Sequence, residues 1–169
     1  MDYELIVPYI PNLRRYARAL VGDRDGADDL VQDTLERAVR KFHLWRPGDL
    51  RAWLFSIMHN VFVNQLALRR REHSTASLDA DEGRGAWDIG VRDTQSDRVE
   101  LEEVLTQLGQ LPVDQREVLI LAAVEEMRYA EIAEMIGVPI GTVMSRLNRA
   151  REKLRRLSVE PQAALKVVK

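Results

Sequence analysis

An all-α fold is what this chain predicts, on three observations. Apolar residues recur at steps of three and four over most of its length, alternation of β-branched residues is nowhere sustained, and the nine glycines and six prolines cluster at a few points. A length of 169 residues accommodates one ordinary domain or two small ones. With 46% hydrophobic and 31% charged residues, the composition is that of a folded, water-soluble protein. There is no cysteine, which excludes disulfides and thiolate metal sites and fits a reducing cytoplasm. No apolar run approaches the roughly 20 residues of a membrane span, and residues 1–10 lack the charged start and apolar centre of a signal peptide. A cytoplasmic chain without direct membrane insertion is expected.

The first helix is marked by Leu5, Tyr9, Leu13, Tyr16, Ala17 and Leu20, with Pro8 and Pro11 confining its regular part to the later residues. Residues 22–26 read as a turn. The stretch DDLVQDTLERAVRKF, from Asp28, predicts a helix with Val31, Leu35, Ala38, Val39 and Phe42 on one face and Asp29, Gln32, Asp33 and Glu36 on another. Acids in a first turn suit the helix dipole, so this polar face reads either as the solvated side of a well-started helix or as a docking surface. DDLVQD also loosely resembles the aspartate-rich helices that hold magnesium and diphosphate in helical prenyl-transfer enzymes. That chemistry needs a second, facing acidic cluster, and the sequence has none.

Residues 44–49, LWRPGD, form a loop by their Pro-Gly pair and carry Trp45 beside Arg46. A long helix follows from Leu50 to Arg71, with Leu54, Ile57, Met58, Val61 and Leu68 inside; Trp53 belongs with the core. Ser56, His59, Asn60, Val63 and Arg70 lie opposite, with Asn64 and Arg71 at the border. Such a polar strip ending in arginines suits single-stranded nucleic acid, whose backbone follows positive charge. Residues 74–98 lose periodicity and hold six acids against three arginines, the composition of a linker. Within it Trp87 and Ile89 are expected to dock on a flanking domain.

A helix resumes at Val99 with Leu101, Val104, Leu105 and Leu108 and ends at Leu111-Pro112. The next holds Val118, Leu119, Leu121, Ala122 and Val124, with Asp114 as its cap. In the stretch from Tyr129 to Leu154, Ile132, Ala133 and Ile136 mark a short helix, which Gly137 and Pro139 end. A second begins near Thr142, with Val143, Leu147, Ala150, Leu154 and Leu157 inside. Two helices joined by a glycine turn read as a helix-turn-helix. Opposite the inner stripe lie Ser145, Asn148, Arg149 and Glu152, flanked by Met144, Arg146 and Arg151. Short polar groups and arginines suit base edges and phosphates. The charge map agrees: residues 142–169 hold eight Lys or Arg against two Glu, while residues 74–141 hold five against fifteen acids. His43, His59 and His73 share no metal-ligand spacing, and no nucleophile motif is present. No metal, cofactor, small-molecule substrate or catalysis is expected.

EIAEMIGVPIGTVMSRLNRAREKLRRL resembles the promoter-reading region of the extracytoplasmic-function sigma factors of bacterial RNA polymerase, and the turn wording GVPIGTV is its specific part. DDLVQDTLERA and LPVDQREVLIL are similar to two further stretches of that family, so the likeness spans residues 5–157 in order. It implies a polymerase- and minus-ten-binding domain over 1–73, a linker over 74–98 that threads core polymerase, a minus-thirty-five-reading domain over 99–157, and a tail over 158–169 without assigned function. It implies that Asp29, Gln32, Asp33 and Glu36 bind core RNA polymerase. Minus-ten DNA would meet Trp45, Arg46, Ser56, His59, Asn60, Asn64, Arg70 and Arg71, with Trp45 as the loop aromatic and Asn60 as the helix asparagine around a flipped base. Minus-thirty-five DNA would meet Thr142, Met144, Ser145, Arg146, Asn148, Arg149 and Arg151. Met144 departs from the family, many of whose members place a basic residue there. An anti-sigma protein is the expected inhibitor. The alternatives are a sigma-like decoy that sequesters such a protein, and a helix-turn-helix repressor, which would leave the first 73 residues without a purpose.

Overall fold

The structure, a computed structural model, describes residues 2–76 and 95–165. The chain divides into two compact units, Met1–Ala86 and Trp87–Lys169. The described residues are helical in all their regular parts and contain no strand. Two 3-10 turns, Asp2–Leu5 and Val7–Tyr9, precede α1 (Ile10–Val21), as the two early prolines predict. Helices α2 (Arg24–Lys41) and α3 (Leu50–Ala76) complete the first unit. The second consists of α4 (Gln95–Gly109), α5 (Val113–Ala123), α6 (Tyr129–Ile136) and α7 (Ile140–Leu165). Both ends of the stretch that reads as a linker are therefore helical; Trp87 and Ile89 lie outside the described residues.

In the first unit α2 packs on both α1 and α3. Leu13, Tyr16, Ala17 and Leu20 of α1 meet Ala27, Leu30, Val31 and Ala38 of α2 and Leu54, Phe55, Met58 and Val61 of α3 in one buried core. Tyr16 stands edge-on to Phe55 with ring centroids 5.2 Å apart, a favoured aromatic geometry. Thr34 is buried on α2 and donates its hydroxyl to Leu30 O at 2.7 Å, which removes the penalty of an unmet polar group.

Four expectations need correction here. Helix α2 starts at Arg24, not Asp28, because Asp23 is its N-cap: the carboxylate accepts from Gly26 N at 2.6 Å. Gly26 thus sits inside the helix rather than in a turn, and a Cβ there would come within 2.8 Å of the capping carboxylate. The inner face of α2 is centred on Ala27, Leu30, Thr34 and Ala38, which leaves Val39 exposed. On α3, Leu68 is 57% exposed, since it lies beyond the end of the three-helix core.

In the second unit α5 is the floor. Both α6 and α7 pack on it, and α4 touches α7. Buried Arg116 of α5 donates to Gly109 O at 3.2 Å and to Leu111 O at 2.9 Å, tying the end of α4 to α5. Burial lowers its pKa from the usual arginine value, yet a guanidinium stays protonated in proteins. Asp114 is not the N-cap of α5: Pro112 holds that position and makes no side-chain cap bond. Leu101, Val104 and Val124 are exposed, contrary to their place on the expected inner stripes.

A truncation at the true cap should register where one at the expected start does not. Asp23→Ala is expected to lower the stability of the chain by about 1 kcal/mol, and Asp28→Ala by less than about 0.5 kcal/mol. Chemical denaturation followed by circular dichroism checks this; equal losses would return the start of α2 to Asp28.

Candidate nucleic-acid interface

The turn between α6 and α7 is set by one backbone position. Gly137 has φ 74 and ψ 37, the left-handed region, where any Cβ is strained even though nothing lies within 4 Å of one built there. Val138 N and Gly137 N both donate to Ala133 O, closing α6, and Thr142 N donates to Pro139 O at 2.9 Å in the first turn of α7. At the other end of α6, the side chain of Glu131 accepts from Arg128 N at 2.9 Å in a capping box.

With α6 stopped there, α7 lays Val143, Leu147 and Ala150 into the core. Two polar ties fix its roll. Arg146 Nε lies 3.4 Å from Asp114 Oδ2 at the start of α5, and Lys153 Nζ donates to Gln110 O at 2.6 Å. The first was invisible in the sequence, where Asp114 reads as a helix cap and Arg146 as a free cation. The roll sorts the proposed DNA-reading residues. Met144, Asn148, Arg149 and Arg151 are exposed, while Thr142, Ser145 and Arg146 are half-buried. Among the described residues the side chains of Asn148, Arg149 and Arg151 make no hydrogen bond or ion pair, so their donors are available to a ligand. Ser145 donates its hydroxyl to Thr142 O at 3.1 Å, which leaves its oxygen able to accept. Only the Arg146 side chain, 25% exposed, is committed to another residue's charge.

In the first unit the outer strip of α3 starts from an aromatic cluster. The Phe42 ring is 6.4 Å from Tyr3, 5.6 Å from Trp45 and 6.3 Å from Trp53. Trp45 is therefore half-buried and steadied, with Arg46 exposed beside it. Asp49 accepts from Ala52 N at 3.0 Å and so starts α3. Asn60 and Asn64 are exposed one turn apart, Ser56 is half-buried with its hydroxyl donated to Trp53 O, and His59 is half-buried. Arg70 and Arg71 are exposed. Trp53 is half-buried against Phe42.

The α2 face carries Asp29, Gln32, Asp33 and Glu36, all exposed. Its residues are only lightly engaged: Gln65 of α3 donates to Asp33 Oδ2 at 2.9 Å, Gln32 donates to Glu36 at 3.4 Å, and Arg40 lies 3.7 Å from Glu36. Among the described residues no group of acids, histidines or cysteines is placed to hold a metal ion, and no helix is long and apolar enough to cross a membrane.

Comparison with known proteins places both units. Residues 6–59 match the sigma2 domain of PhyR, and residues 101–154 match sigma-70 region 4. The chain is similar to the ECF RNA polymerase sigma factor EcfG of Rhodopseudomonas palustris, with 43% identity over 150 residues, 88% of this chain and 80% of that one. It is also similar to the sigma factor RpoE of Bartonella quintana, solved in complex with the anti-sigma factor NepR: the TM-score is 0.78 at 33% identity, covering 98% of this chain and 97% of that one. The anti-anti-sigma factor PhyR of the same organism, also solved with NepR, shares the fold at TM-score 0.59 and 18% identity, covering 90% of this chain and 48% of that one.

The two arginines of α7 should separate in a stability measurement. Arg146→Ala, which removes an ion pair and a half-buried stem, is expected to destabilise by about 1 kcal/mol, and Arg149→Ala by less than about 0.5 kcal/mol. Thermal melts of the full chain check this. Equal shifts would mean that Arg146 holds nothing in place.

Proposed function

Because the chain belongs to the extracytoplasmic-function sigma factors of bacterial RNA polymerase, we propose that it binds core polymerase through α2 and directs initiation at promoters read by two separate surfaces. The observation that carries this reading is the outer face of α7. It is basic, it has unpartnered Asn148, Arg149 and Arg151 side chains, and the fold is satisfied without them. In a helix-turn-helix such a face enters the major groove, where Arg149 suits guanine and Asn148 suits adenine. The start of the helix also presents its positive dipole end to phosphates.

The outer strip of α3 serves the minus-ten element. A steadied aromatic at Trp45 offers a stacking plane, Asn60 and Asn64 offer paired donors and acceptors to an unstacked base, and Arg46, Arg70 and Arg71 follow the backbone, while half-buried Ser56 and His59 shape the floor. Asp29, Gln32, Asp33 and Glu36 form the polymerase-docking face. Burial in the first unit asks nothing of these four residues. The linker over 74–98 threads core polymerase, with 1–73 and 99–157 as the domains on either side. The chain acts as a binding subunit in the cytoplasm and catalyses nothing itself.

A cytoplasmic or membrane-attached anti-sigma protein is the inhibitor. It covers the α2 face and the α7 face in a one-to-one complex, as a self-made cover is weak: the net charge of −3 over residues 74–98 is screened beyond roughly 8 Å at physiological salt. The co-crystal of the similar RpoE with NepR supports a partner of this kind. A sigma-like decoy is the second reading, favoured by the match of the first unit to PhyR. The two differ in one respect, that a decoy yields no transcript.

Run-off transcription with purified core polymerase, from the promoter upstream of the chain's own operon, tests the proposal. Specific transcripts are expected, and Asp33→Arg should weaken core binding by roughly ten-fold, about 1.4 kcal/mol, with the melting temperature nearly kept. Binding of an anti-sigma protein without any transcript would establish the decoy, and unfolding by Asp33→Arg would reduce the α2 acids to a structural role. Capture of the chain from unstressed cells should bring down one stoichiometric inhibitor; recovery of polymerase alone, with promoter activity following the amount of chain, would point to control by synthesis.

A further inference from the structure

Two large apolar side chains stand out on the leading turns of α7. Ile140 and Met144 are each 48% exposed, and among the described residues they are the only large hydrophobics on that helix left so open. The core does not call for them, because Val143, Leu147 and Ala150 already fill the seam with α5. Four residues apart, they stack along one flank of the helix, and Asn148 continues the same row one turn later. Exposed apolar residues scattered singly need no explanation, but a contiguous pair at the start of a reading helix falls where a helix-turn-helix sets its base contacts.

The chemistry of the groove narrows what such a pair can meet. Guanine presents two acceptors, cytosine an amino donor, and adenine one acceptor and one donor; facing any of these, Met144 would strip water from polar groups while offering only a weakly accepting thioether. Thymine alone adds an apolar group, the C5-methyl. Methionine, unbranched and polarisable, adapts its shape to a small apolar target, and Ile140 lies one turn before it on the same flank of the helix. Resting on the proposed function of α7, we propose that Met144, backed by Ile140, is a specificity-determining residue that reads the C5-methyl of a thymine in the element contacted by that helix. Ser145 and Asn148 read the neighbouring bases by hydrogen bonds, and Arg149 and Arg151 take guanine or phosphate.

The test uses the full chain bound to core polymerase and a duplex enriched by that complex from a random library. Each thymine of the upstream element is replaced singly by deoxyuridine, which deletes the methyl and leaves every hydrogen-bonding group in place. The wild-type complex should lose about four-fold in affinity at one position, the equivalent of withdrawing roughly one CH₂ from an apolar contact. Met144→Ala should bind thymine and deoxyuridine versions of that duplex alike, while still preferring the enriched duplex to a scrambled one. Met144→Leu should restore the difference. Indifference of the wild type at every thymine, or a Met144→Ala complex as sensitive as wild type, would overturn the assignment. A complex that prefers no duplex over any other would instead overturn the promoter-reading function on which it rests.

Discussion

The seating of α7 on α5 is the constraint from which the working surface of the second unit follows. Once Val143, Leu147 and Ala150 are committed to the core, the helical repeat leaves no freedom in which residues face outward. Magnitudes rank the contributions. Burying a Val or Leu side chain is worth about 1.5–3 kcal/mol each, whereas the partly exposed pair of Arg146 with Asp114 is worth at most about 1 kcal/mol. Burial therefore holds the helix down, and the ion pair with the Lys153 tie trims its roll. Gly137 makes the arrangement reachable, because its left-handed backbone turns the chain between α6 and α7 within three residues. The turn between α5 and α6 follows a costlier route: Glu126 takes φ 53, a conformation that a side chain disfavours.

The first unit solves a different problem, that of presenting a loop in a fixed place. LWRPGD has too few apolar groups to hold itself, so its position comes from neighbours: Phe42 gathers Tyr3, Trp45 and Trp53 around one ring, and Asp49 starts α3 on the far side. Trp45 and the asparagine strip of α3 are thereby parts of one local scaffold. For the minus-ten role proposed for this surface such rigidity is an advantage, since less ordering is left to be done at the moment of contact.

Much of this was legible in the residues. Helical periodicity located the seven α-helices of the described residues, the two early prolines delayed α1 as expected, and Val143, Leu147 and Ala150 of the stripe predicted for α7 are buried, while Leu154 and Leu157 are only half-buried. What escaped were features that depend on partners distant in sequence or on local chemistry competing with periodicity. Asp23 caps α2 with its carboxylate on Gly26 N, where a Cβ would crowd that carboxylate, so a glycine that reads as a turn lies in the first turn of a helix. Asp114 looks like a cap in its own segment, yet its ion-pair partner is Arg146, on the far side of a whole helix and two turns. Leu68, Leu101 and Val104 keep helical spacing and yet are exposed, and periodicity alone cannot tell where a core ends.

That two different surfaces of the chain meet two different parts of a promoter is the central claim, and the composition offers a direct way to measure it. With no native cysteine, a single Asn148→Cys or Asn60→Cys substitution gives one attachment point for a DNA-cleaving iron chelate. In the complete complex with core polymerase and promoter DNA, the probe on α7 should cut the duplex around the minus-thirty-five element, and the probe on α3 should cut around the minus-ten element. Cuts from both probes at one place, or none from the α7 probe, would contradict the account.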